Sequence, residues 1–312
     1  MRRVAVVVTA AVGLLAISPG AGADEDAPAE SSGGCGSTTP TPGATVQTID
    51  FEGARREYRL AVPEGVAGDE PLPLILNWHG YGSNAVEQAV YSELEEKGPA
   101  EGYVVVTPQG IGEPAFWNII PELAAPDDVA YAGALIDAAA ETFCIDERRV
   151  YSTGMSNGGG MSAYLGCNLG DRLAAIAPVA GVNLLFGDCP EGEGVSVIAF
   201  HGEVDGVVPY DGGALEIFET LSFPPVEDSV AAWASLDDCR KKARVEDVSA
   251  HVVLTDYTRC RRGTDVQLYS VTDGGHTWPG SLDVPSLGPV TTEIDAADLI
   301  LDFFDDHRRR RN

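Results

Sequence analysis

Basic residues are scarce in this sequence. Its 312 residues contain 20 Lys and Arg against 48 Asp and Glu, so the formal net charge is −28 at pH 7. This acidic balance argues against a nucleic-acid groove or an anionic-membrane surface, because both require clustered positive charge. Hydrophobic residues make up 44% of the chain and charged residues only 22%. The composition therefore excludes wholesale disorder and predicts a folded core.

Long apolar runs are absent beyond the first residues of the chain. Arg2 and Arg3 precede the apolar run 4–17, and Ala21-Gly22-Ala23 supplies a small-x-small cleavage site. The run is too short to span a bilayer comfortably, and the pattern is typical of an export signal. We therefore predict a signal peptide over residues 1–23, a secreted protein and no membrane partner.

The sequence has no Cys-x-x-Cys pair, which weakens a zinc reading of its six cysteines. Outside the cytosol an even number of cysteines indicates disulfides. Cys239 and Cys260 are neighbours in a late segment, and we expect them to pair. Sequence alone does not choose among the pairings of the other four, which we expect near the amino-terminal edge of the sheet: Cys35, Cys144, Cys167 and Cys189.

Strand and helix signals alternate along most of the chain. Residues 24–44 are rich in Pro, Gly, Ser and acidic residues and indicate an extended arm, while 308–312 form a basic tail that we expect to be solvated. Between them, 45–307 predict one α/β domain with a mostly parallel sheet covered by helices on both faces. Its edge is predicted to be an antiparallel hairpin (Thr45–Phe51 and Glu57–Val62). Among the predicted helices is one over Ala85–Lys97.

Gly154-Met155-Ser156-Asn157-Gly158 is a G-x-S-x-G motif. In an α/β sheet this motif forms the tight turn between a strand and a helix that presents a nucleophilic serine. A strand signal precedes it and a helix can follow it. The sequence therefore makes Ser156 the candidate nucleophile.

A serine nucleophile requires a base, and the chain has five histidines. His276 lies in a glycine-rich loop after the last predicted strand, from which an imidazole can reach over the sheet. Asp205 follows another strand and can orient that imidazole, with Glu203 as the competing acid. The chain order Ser156, Asp205, His276 is the order that the α/β-hydrolase fold requires.

Two backbone N–H groups are candidates for an oxyanion hole. One belongs to Asn157, directly after the serine, and the other to Tyr81, in the loop after the strand Pro73–Trp78. That loop also matches the dinucleotide fingerprint G-x-G-x-x-A. The next strand, however, ends in Thr107-Pro108-Gln109-Gly110 and lacks the acidic residue that a dinucleotide site requires.

Aromatic residues make up 7% of the chain, and several are predicted in loops at the carboxyl end of the sheet. We expect Trp278 and Tyr210 to line a substrate pocket, with Tyr81 as a further candidate. For Trp117, packing as local core is an equally good interpretation.

Several motifs taken together resemble a known family. HGYGSN, TPQG with FWN downstream, GMSNGGGMSAYLGC, APVAG, HGEVDGVVPY and GGHTWPG occur in this order and are similar to motifs of the secreted esterase/poly(3-hydroxybutyrate) depolymerase family of α/β-hydrolases, which includes feruloyl esterases. The resemblance covers roughly residues 35–307. It implies a serine esterase without cofactor or metal, with Ser156, Asp205 and His276 as its triad.

The resemblance leaves the substrate open. Aromatic loops and the absence of a further binding module favour feruloyl-type esters of plant cell-wall polysaccharide over hydroxyalkanoate oligomers, in a protein that we expect to be a monomer. The alternative from another class is a non-catalytic binding protein on a hydrolase scaffold. No member of the candidate triad is missing, which favours the enzyme.

Overall fold

The computed structural model describes residues 29–36, 41–66, 68–120, 125–185, 189, 194–215 and 218–310. Strands and helices alternate in it as the sequence predicts. Its strands are β1 (Gly43–Phe51), β2 (Ala54–Val62), β3 (Leu72–Trp78), β4 (Val104–Pro108), β5 (Ile145–Met155), β6 (Ala175–Val179), β7 (Ser196–Gly202), β8 (Gly213–Leu215), β9 (Phe218–Phe223), β10 (Arg244–Asp247), β11 (Val252–Tyr257) and β12 (Val266–Val271). Its α-helices are α1 (Ala85–Ser92), α2 (Leu94–Ala100), α3 (Asp128–Thr142), α4 (Asn157–Asn168), α5 (Val226–Leu236) and α6 (Ala296–Asp306).

Ten strands form one sheet in the order β1-β2-β4-β3-β5-β6-β7-β12-β11-β10, and β8 pairs with β9 separately. The strands from β4 to β12 in this order are parallel to their neighbours. Antiparallel pairs close both edges, β1–β2 beside β4 and β10–β11 beside β12. The parallel sheet and its N-terminal hairpin confirm the predicted fold class, whereas the second hairpin was not predicted.

Apolar side chains cover both faces of the sheet. On one face Leu135 of α3, Leu165 of α4 and Trp233 of α5 belong to a single buried cluster. On the other face Leu94 of α2 and Phe304 of α6 belong to a second cluster. Continuous burial of β3, β4, β6 and β7 is what a sheet covered on both sides requires. No described helix is long and apolar enough to cross a membrane.

The strand order reverses beside β3. The chain passes from β3 to β4 on one side and then returns to β5 on the other. The loops that leave the carboxyl ends of β3 and β5 therefore diverge and leave a crevice between them, where ligands bind in open α/β sheets. The predicted oxyanion loop and the candidate serine follow these two strands.

The helix predicted over 85–97 is instead two helices, α1 and α2. Glu93 separates them with φ 56°, in the left-handed region. The buried hydroxyl of Ser92 accepts a hydrogen bond from Asn77 of β3 at 2.9 Å, and Leu94 is fully buried. The chain turns between these two anchors, so a continuous helix is not formed.

The three disulfides lie away from the carboxyl end of the sheet, where the candidate serine is. Cys239 pairs with Cys260 as expected, and the other bonds are Cys35–Cys144 and Cys167–Cys189. Cys35 ties the described part of the predicted arm to the start of β5. Beside it, Ser32 Oγ donates to Phe143 O at 2.8 Å and accepts from Ile145 N at 2.9 Å. The predicted signal peptide lies outside the described residues.

Within the predicted solvated tail Arg308 and Arg310 are exposed, whereas Arg309 is docked on the protein. The Arg309 N–H donates to Arg148 O at 2.8 Å, and Arg148 Nε donates to Arg309 O at 3.0 Å. The Arg309 guanidinium lies 3.3 Å from Glu30 of the arm. The tail and the arm therefore meet beside the start of β5, because the carboxylate of one complements the charge of the other.

Candidate active site

Ser156 lies in a strained turn between β5 and α4. Its φ is 58° and its ψ is −122°, a conformation that costs free energy for a residue with a side chain. The turn is held by two hydrogen bonds, from Ser156 N to Val179 O at 2.9 Å and from Gly160 N to Ser156 O at 2.8 Å. These bonds present the partly exposed serine above the carboxyl end of the sheet.

The glycines on either side of the serine are required by close backbone contacts. A Cβ at Gly154 would lie 2.5 Å from Trp78 O, and a Cβ at Gly158 would collide with the same carbonyl oxygen. Any larger residue would therefore push β5 or α4 away from β3. The glycines of the motif thus allow the turn and the neighbouring strand to approach each other.

The structure brings His276 and Asp205 together. His276 Nδ1 lies 2.7 Å from Asp205 Oδ2, and both residues are buried. The N–H groups of Val207 and Val208 both donate to Asp205 Oδ1 at 2.8 Å. Glu203, the competing acid, is exposed. The carboxylate that contacts the imidazole is therefore that of Asp205.

Asp205 is buried and yet held as a carboxylate. Burial on its own raises the pKa of this carboxyl group, but hydrogen bonds from His201 and His276 lower it by more. The net result is a pKa well below the usual range of an aspartate. Asp205 is therefore ionised at neutral pH and can accept a hydrogen bond from Nδ1–H of His276, which leaves Nε2 of that ring without a proton and able to act as a base.

The loop that carries His276 leans over the end of β7. The N–H of Glu203 donates to Val271 O at 2.8 Å, and the N–H of Val204 donates to Gly274 O at 3.1 Å. β6 and β7 separate the serine strand from the histidine strand, so this lean is needed to approach Ser156. In the described structure Ser156 Oγ has no direct hydrogen bond to His276. Such contacts are often long in ligand-free enzymes and tighten with substrate.

The two candidate oxyanion donors lie beside the serine. A Cβ at Gly80 would lie 3.4 Å from Ser156 Cβ, so the loop that carries Tyr81 touches the elbow. Asn157 is the first residue of α4, where backbone N–H groups have no partner within the helix. Among the described residues, neither Tyr81 N–H nor Asn157 N–H donates to a protein acceptor. Both groups are therefore available to a ligand oxygen.

The side chain of Asn157 fixes the second donor. Its Oδ1 accepts from Trp117 N at 2.7 Å, and its Nδ2 donates to Trp117 O at 3.0 Å. This two-point bond joins the start of α4 to the loop after β4. Sequence reasoning assigned only the backbone of Asn157. The available signal in the sequence was an amide side chain, which can both donate and accept hydrogen bonds, directly after the candidate serine.

His79 holds the oxyanion loop from below. Its Nε2 accepts from Gly110 N at 2.9 Å, so its Nδ1 carries the proton and donates to Gly80 O at 2.7 Å. Burial lowers the pKa of His79, which keeps the imidazole neutral. His79 therefore braces the loop that carries Tyr81.

A buried ion pair holds the loop after β4. Arg56 of β2 and Asp128 of α3 are both buried, with 2.8 Å between Nη1 and Oδ1. The guanidinium lies 3.6 Å from the centroid of the Tyr131 ring, and Asp128 Oδ2 accepts from Asn118 N at 2.8 Å. The pair therefore anchors the residue next to Trp117. It was missed from the sequence because its partners are 72 positions apart.

The aromatic residues expected in a pocket are mostly covered. Trp117 and Trp278 are each 1% exposed and Tyr210 is 9% exposed, whereas Tyr81 is 48% exposed. Trp117 Nε1 donates to His79 O at 2.8 Å, so its indole supports the oxyanion loop as local core. This placement does not support an aromatic wall made by Trp117, Trp278 and Tyr210. Tyr81 is the candidate aromatic that faces solvent.

No group of three or more metal-binding side chains occurs among the described residues. The constellation at the carboxyl end of the sheet consists of a serine in an elbow, an imidazole held by a carboxylate and two unused N–H donors. With the sheet topology above, these features define an α/β-hydrolase.

Comparisons with known proteins identify the family. "Probable feruloyl esterase C" of Aspergillus terreus is 30% identical over 250 residues, which cover 78% of this chain and 83% of that protein. "Feruloyl esterase B" of Piromyces equi is 28% identical over 71% of this chain, and "Feruloyl esterase D" of Neurospora crassa is 29% identical over 58%. The chain belongs to the esterase family that includes feruloyl esterases. No family model matches it.

Some relatives are longer than the region they share with this chain, which spans 42% of the Piromyces protein and 64% of the Neurospora protein. Among solved structures, acetyl xylan esterase from Aspergillus awamori aligns with a TM-score of 0.58 at 12% identity, over 84% of this chain and 99% of that one. A feruloyl esterase module from Clostridium thermocellum, complexed with sinapinate, aligns with a TM-score of 0.53 at 12% identity, over 84% and 86%. These two likenesses confirm the fold.

Proposed function

We propose that this protein is a serine carboxylic-ester hydrolase that acts through an acyl-enzyme. Ser156 is the nucleophile, His276 the general base and Asp205 the acid that orients it. The observation that carries this proposal is the buried pair of His276 and Asp205, 2.7 Å apart, at the same end of the sheet as the elbow of Ser156.

The proposed reaction has two halves. Ser156 Oγ attacks the ester carbonyl carbon and gives its proton to His276 Nε2, while the carbonyl oxygen becomes an oxyanion that accepts from Tyr81 N–H and Asn157 N–H. The C–O bond to the alcohol then breaks, and the alcohol leaves with the proton of His276. Water, deprotonated by the same imidazole, attacks the acyl-serine, and the carboxylic acid leaves as Ser156 regains its proton.

We propose feruloyl-type esters of plant cell-wall polysaccharide as the substrates. The relatives named feruloyl esterase support this class, and they do not favour hydroxyalkanoate oligomers. Three disulfides are typical of proteins from an oxidising compartment and support secretion. We propose that the protein is a monomer that acts on soluble or polymer-linked esters and has no nucleic-acid or membrane partner.

The substrate class is tested by measuring kcat/KM for methyl ferulate, acetylated xylan and hydroxybutyrate oligomers with the same preparation. We expect methyl ferulate to be hydrolysed best and Ser156→Ala to lose turnover of all three while its Tm is nearly unchanged. A higher kcat/KM for either other substrate would replace the substrate class. Turnover retained by Ser156→Ala would contradict the mechanism, and a wild-type protein inactive on every ester would favour a binding protein.

A further inference from the structure

Asp205 has a second imidazole partner. His201, near the end of β7, places Nε2 3.3 Å from Asp205 Oδ2, and both side chains are fully buried. This is the same oxygen that lies 2.7 Å from His276 Nδ1. The carboxylate of Asp205 therefore lies between two imidazole rings, one on β7 and one on the loop after β12.

The hydrogen bonds of His201 define its tautomer. Its Nε2 also lies 2.9 Å from Val208 O, and a carbonyl oxygen can only accept. Nε2 therefore carries a proton that it shares between Val208 O and Asp205 Oδ2. The other ring nitrogen, Nδ1, is buried and has no hydrogen-bond partner among the described residues. Because Nδ1 has no partner there, the contacts of Nε2 with Val208 O and Asp205 Oδ2 hold the imidazole in place.

Tyr210 is the aromatic neighbour of the His201 ring. Tyr210 meets it edge to face, with ring centroids 5.8 Å apart, and the Tyr210 hydroxyl lies 2.6 Å from Ser270 Oγ on β12. The same hydroxyl is 3.4 Å from Glu227 of α5. The described groups that face His201 are therefore the Asp205 carboxylate, Val208 O and the Tyr210 ring, and of these only the carboxylate bears charge.

Each oxygen of the Asp205 carboxylate thus receives two donors. The N–H groups of Val207 and Val208 occupy Oδ1, whereas His201 and His276 share Oδ2. Four donors spread the negative charge and fix the plane of the group, because each lone pair has a set direction. The strength with which Asp205 holds the imidazolium of His276 then depends on what else Oδ2 accepts.

We propose that His201 is a positioning residue of this site, which holds Asp205 Oδ2 in the direction of His276 and moderates its hold on the charged ring. This inference rests on the proposed function, since it assigns His276 as the base. Loss of the His201 donor leaves Oδ2 to His276 alone. The imidazolium is then held more strongly and the carboxylate less firmly oriented.

The test compares pH profiles of kcat/KM for p-nitrophenyl acetate in the wild type, His201→Leu and His201→Gln. For His201→Leu we expect kcat to fall about tenfold and the acid limb to move about half a pH unit upward, with KM little changed. The Gln side chain carries an N–H donor at a similar reach. We therefore expect His201→Gln to keep kcat and the acid limb close to those of the wild type.

His307→Leu is the matched control. His307 is also buried, and its Nε2 lies 3.2 Å from Asp265 Oδ2. Asp265 directly precedes β12, at the end of the sheet opposite to Ser156. We expect this variant to lose stability without moving the acid limb. An acid limb of His201→Leu that coincides with that of the wild type, or one that moves equally in His307→Leu, would overturn the inference.

A different result would contradict the proposed function itself. A wild-type protein that neither hydrolyses p-nitrophenyl acetate nor reacts with a fluorophosphonate probe would remove the function itself. An active, labelled wild type with an unmoved His201→Leu profile would remove only the role of His201. If His201→Leu does not fold, His201→Gln and His201→Asn replace it as the pair compared, because the shorter Asn amide cannot reach as far as Nε2 of the imidazole. A shifted acid limb in His201→Asn alone is then the expected result.

Discussion

At each end of the sheet a buried histidine contacts an aspartate, in addition to the contact of His201 with Asp205. At the carboxyl end His276 lies 2.7 Å from Asp205, whose side chain is 0% exposed. At the amino end His307 lies 3.2 Å from Asp265, whose side chain is 40% exposed. The same two residue types thus form one pair with a fully buried carboxylate and one with a carboxylate open to water.

The difference lies in the partners of each carboxylate. Asp205 accepts from two backbone N–H groups and a second imidazole, and its pKa is held well below the usual range. His307 has its other ring nitrogen 2.6 Å from Phe303 O, the carbonyl one turn earlier in the chain, so its ring closes the end of α6. A histidine next to an aspartate is therefore not enough to propose a catalytic pair, and the proposal for His276 and Asp205 also depends on the buried donors to the carboxylate.

Asp205→Asn and Asp265→Asn give the sharpest contrast between the two ends. We expect Asp205→Asn to lower kcat by about 10⁴-fold, because an amide cannot hold the imidazole in the required tautomer and charge state. Asp265→Asn is expected to change kcat less than about twofold, since its partner is far from the serine. Steady-state hydrolysis of p-nitrophenyl acetate measures both. Comparable losses in the two variants would show that the effect is structural.

The two ends of α4 offer the next contrast. Asn157 joins the Trp117 backbone at two points, whereas the exposed Asn168 donates to Tyr164 O, at 2.8 Å, in its own helix. We expect Asn157→Ala to lower kcat by about tenfold to a hundredfold with a smaller change in KM, because the oxyanion donor loses its fixed position.

Asn168→Ala is the control for this helix and is expected to keep both constants. Kinetics of the two variants with one substrate decide the matter. An unchanged kcat in Asn157→Ala, with the variant folded, would mean that the loop after β4 does not support the oxyanion hole.

A third contrast concerns two buried carboxyl groups. Hydrogen bonds lower the pKa of Asp205, whereas burial raises the pKa of Asp237, at the end of α5, to about 6. The folded state therefore binds the Asp237 proton more tightly than the unfolded state does. Its contribution to stability is fully present below about pH 4 and is lost as pH rises through 6.

Asp237→Asn removes this loss, since an amide stays neutral. We expect the Tm difference, Asp237→Asn minus wild type, to be a few degrees larger at pH 7.5 than at pH 4.5. Asp238→Asn, at an exposed neighbour, is expected to show no such trend in thermal unfolding at the two pH values. A Tm difference that is the same at both pH values would contradict the assignment.

Much of the site could be predicted because it depends on local sequence. The G-x-S-x-G elbow, the strand before Asp205 and the glycine-rich loop of His276 each occupy a few consecutive residues. Parallel strands then bring the three loops to one edge of the sheet. The fold class followed from the same alternation of strands and helices.

What could not be predicted depends on contacts between distant residues. Arg56 of β2 meets Asp128 of α3, and Asn157 of α4 meets Trp117 of the loop after β4, only once the whole chain has folded. The strand β10 reads Arg-Val-Glu-Asp and is exposed throughout, so it has no apolar alternation to reveal it. Burial of Trp117 and Trp278 likewise depends on the loops that cover them, and tryptophan in a loop does not indicate which side it faces.

Reaction with a fluorophosphonate probe, followed by mass spectrometry of the labelled peptide, tests the central claim most directly. The reagent phosphonylates a serine only where a base and an oxyanion hole activate it. We expect one label per chain, on Ser156, and loss of that label in Asp205→Asn but not in Asp265→Asn. An unlabelled wild type, or a label on another serine, would contradict it.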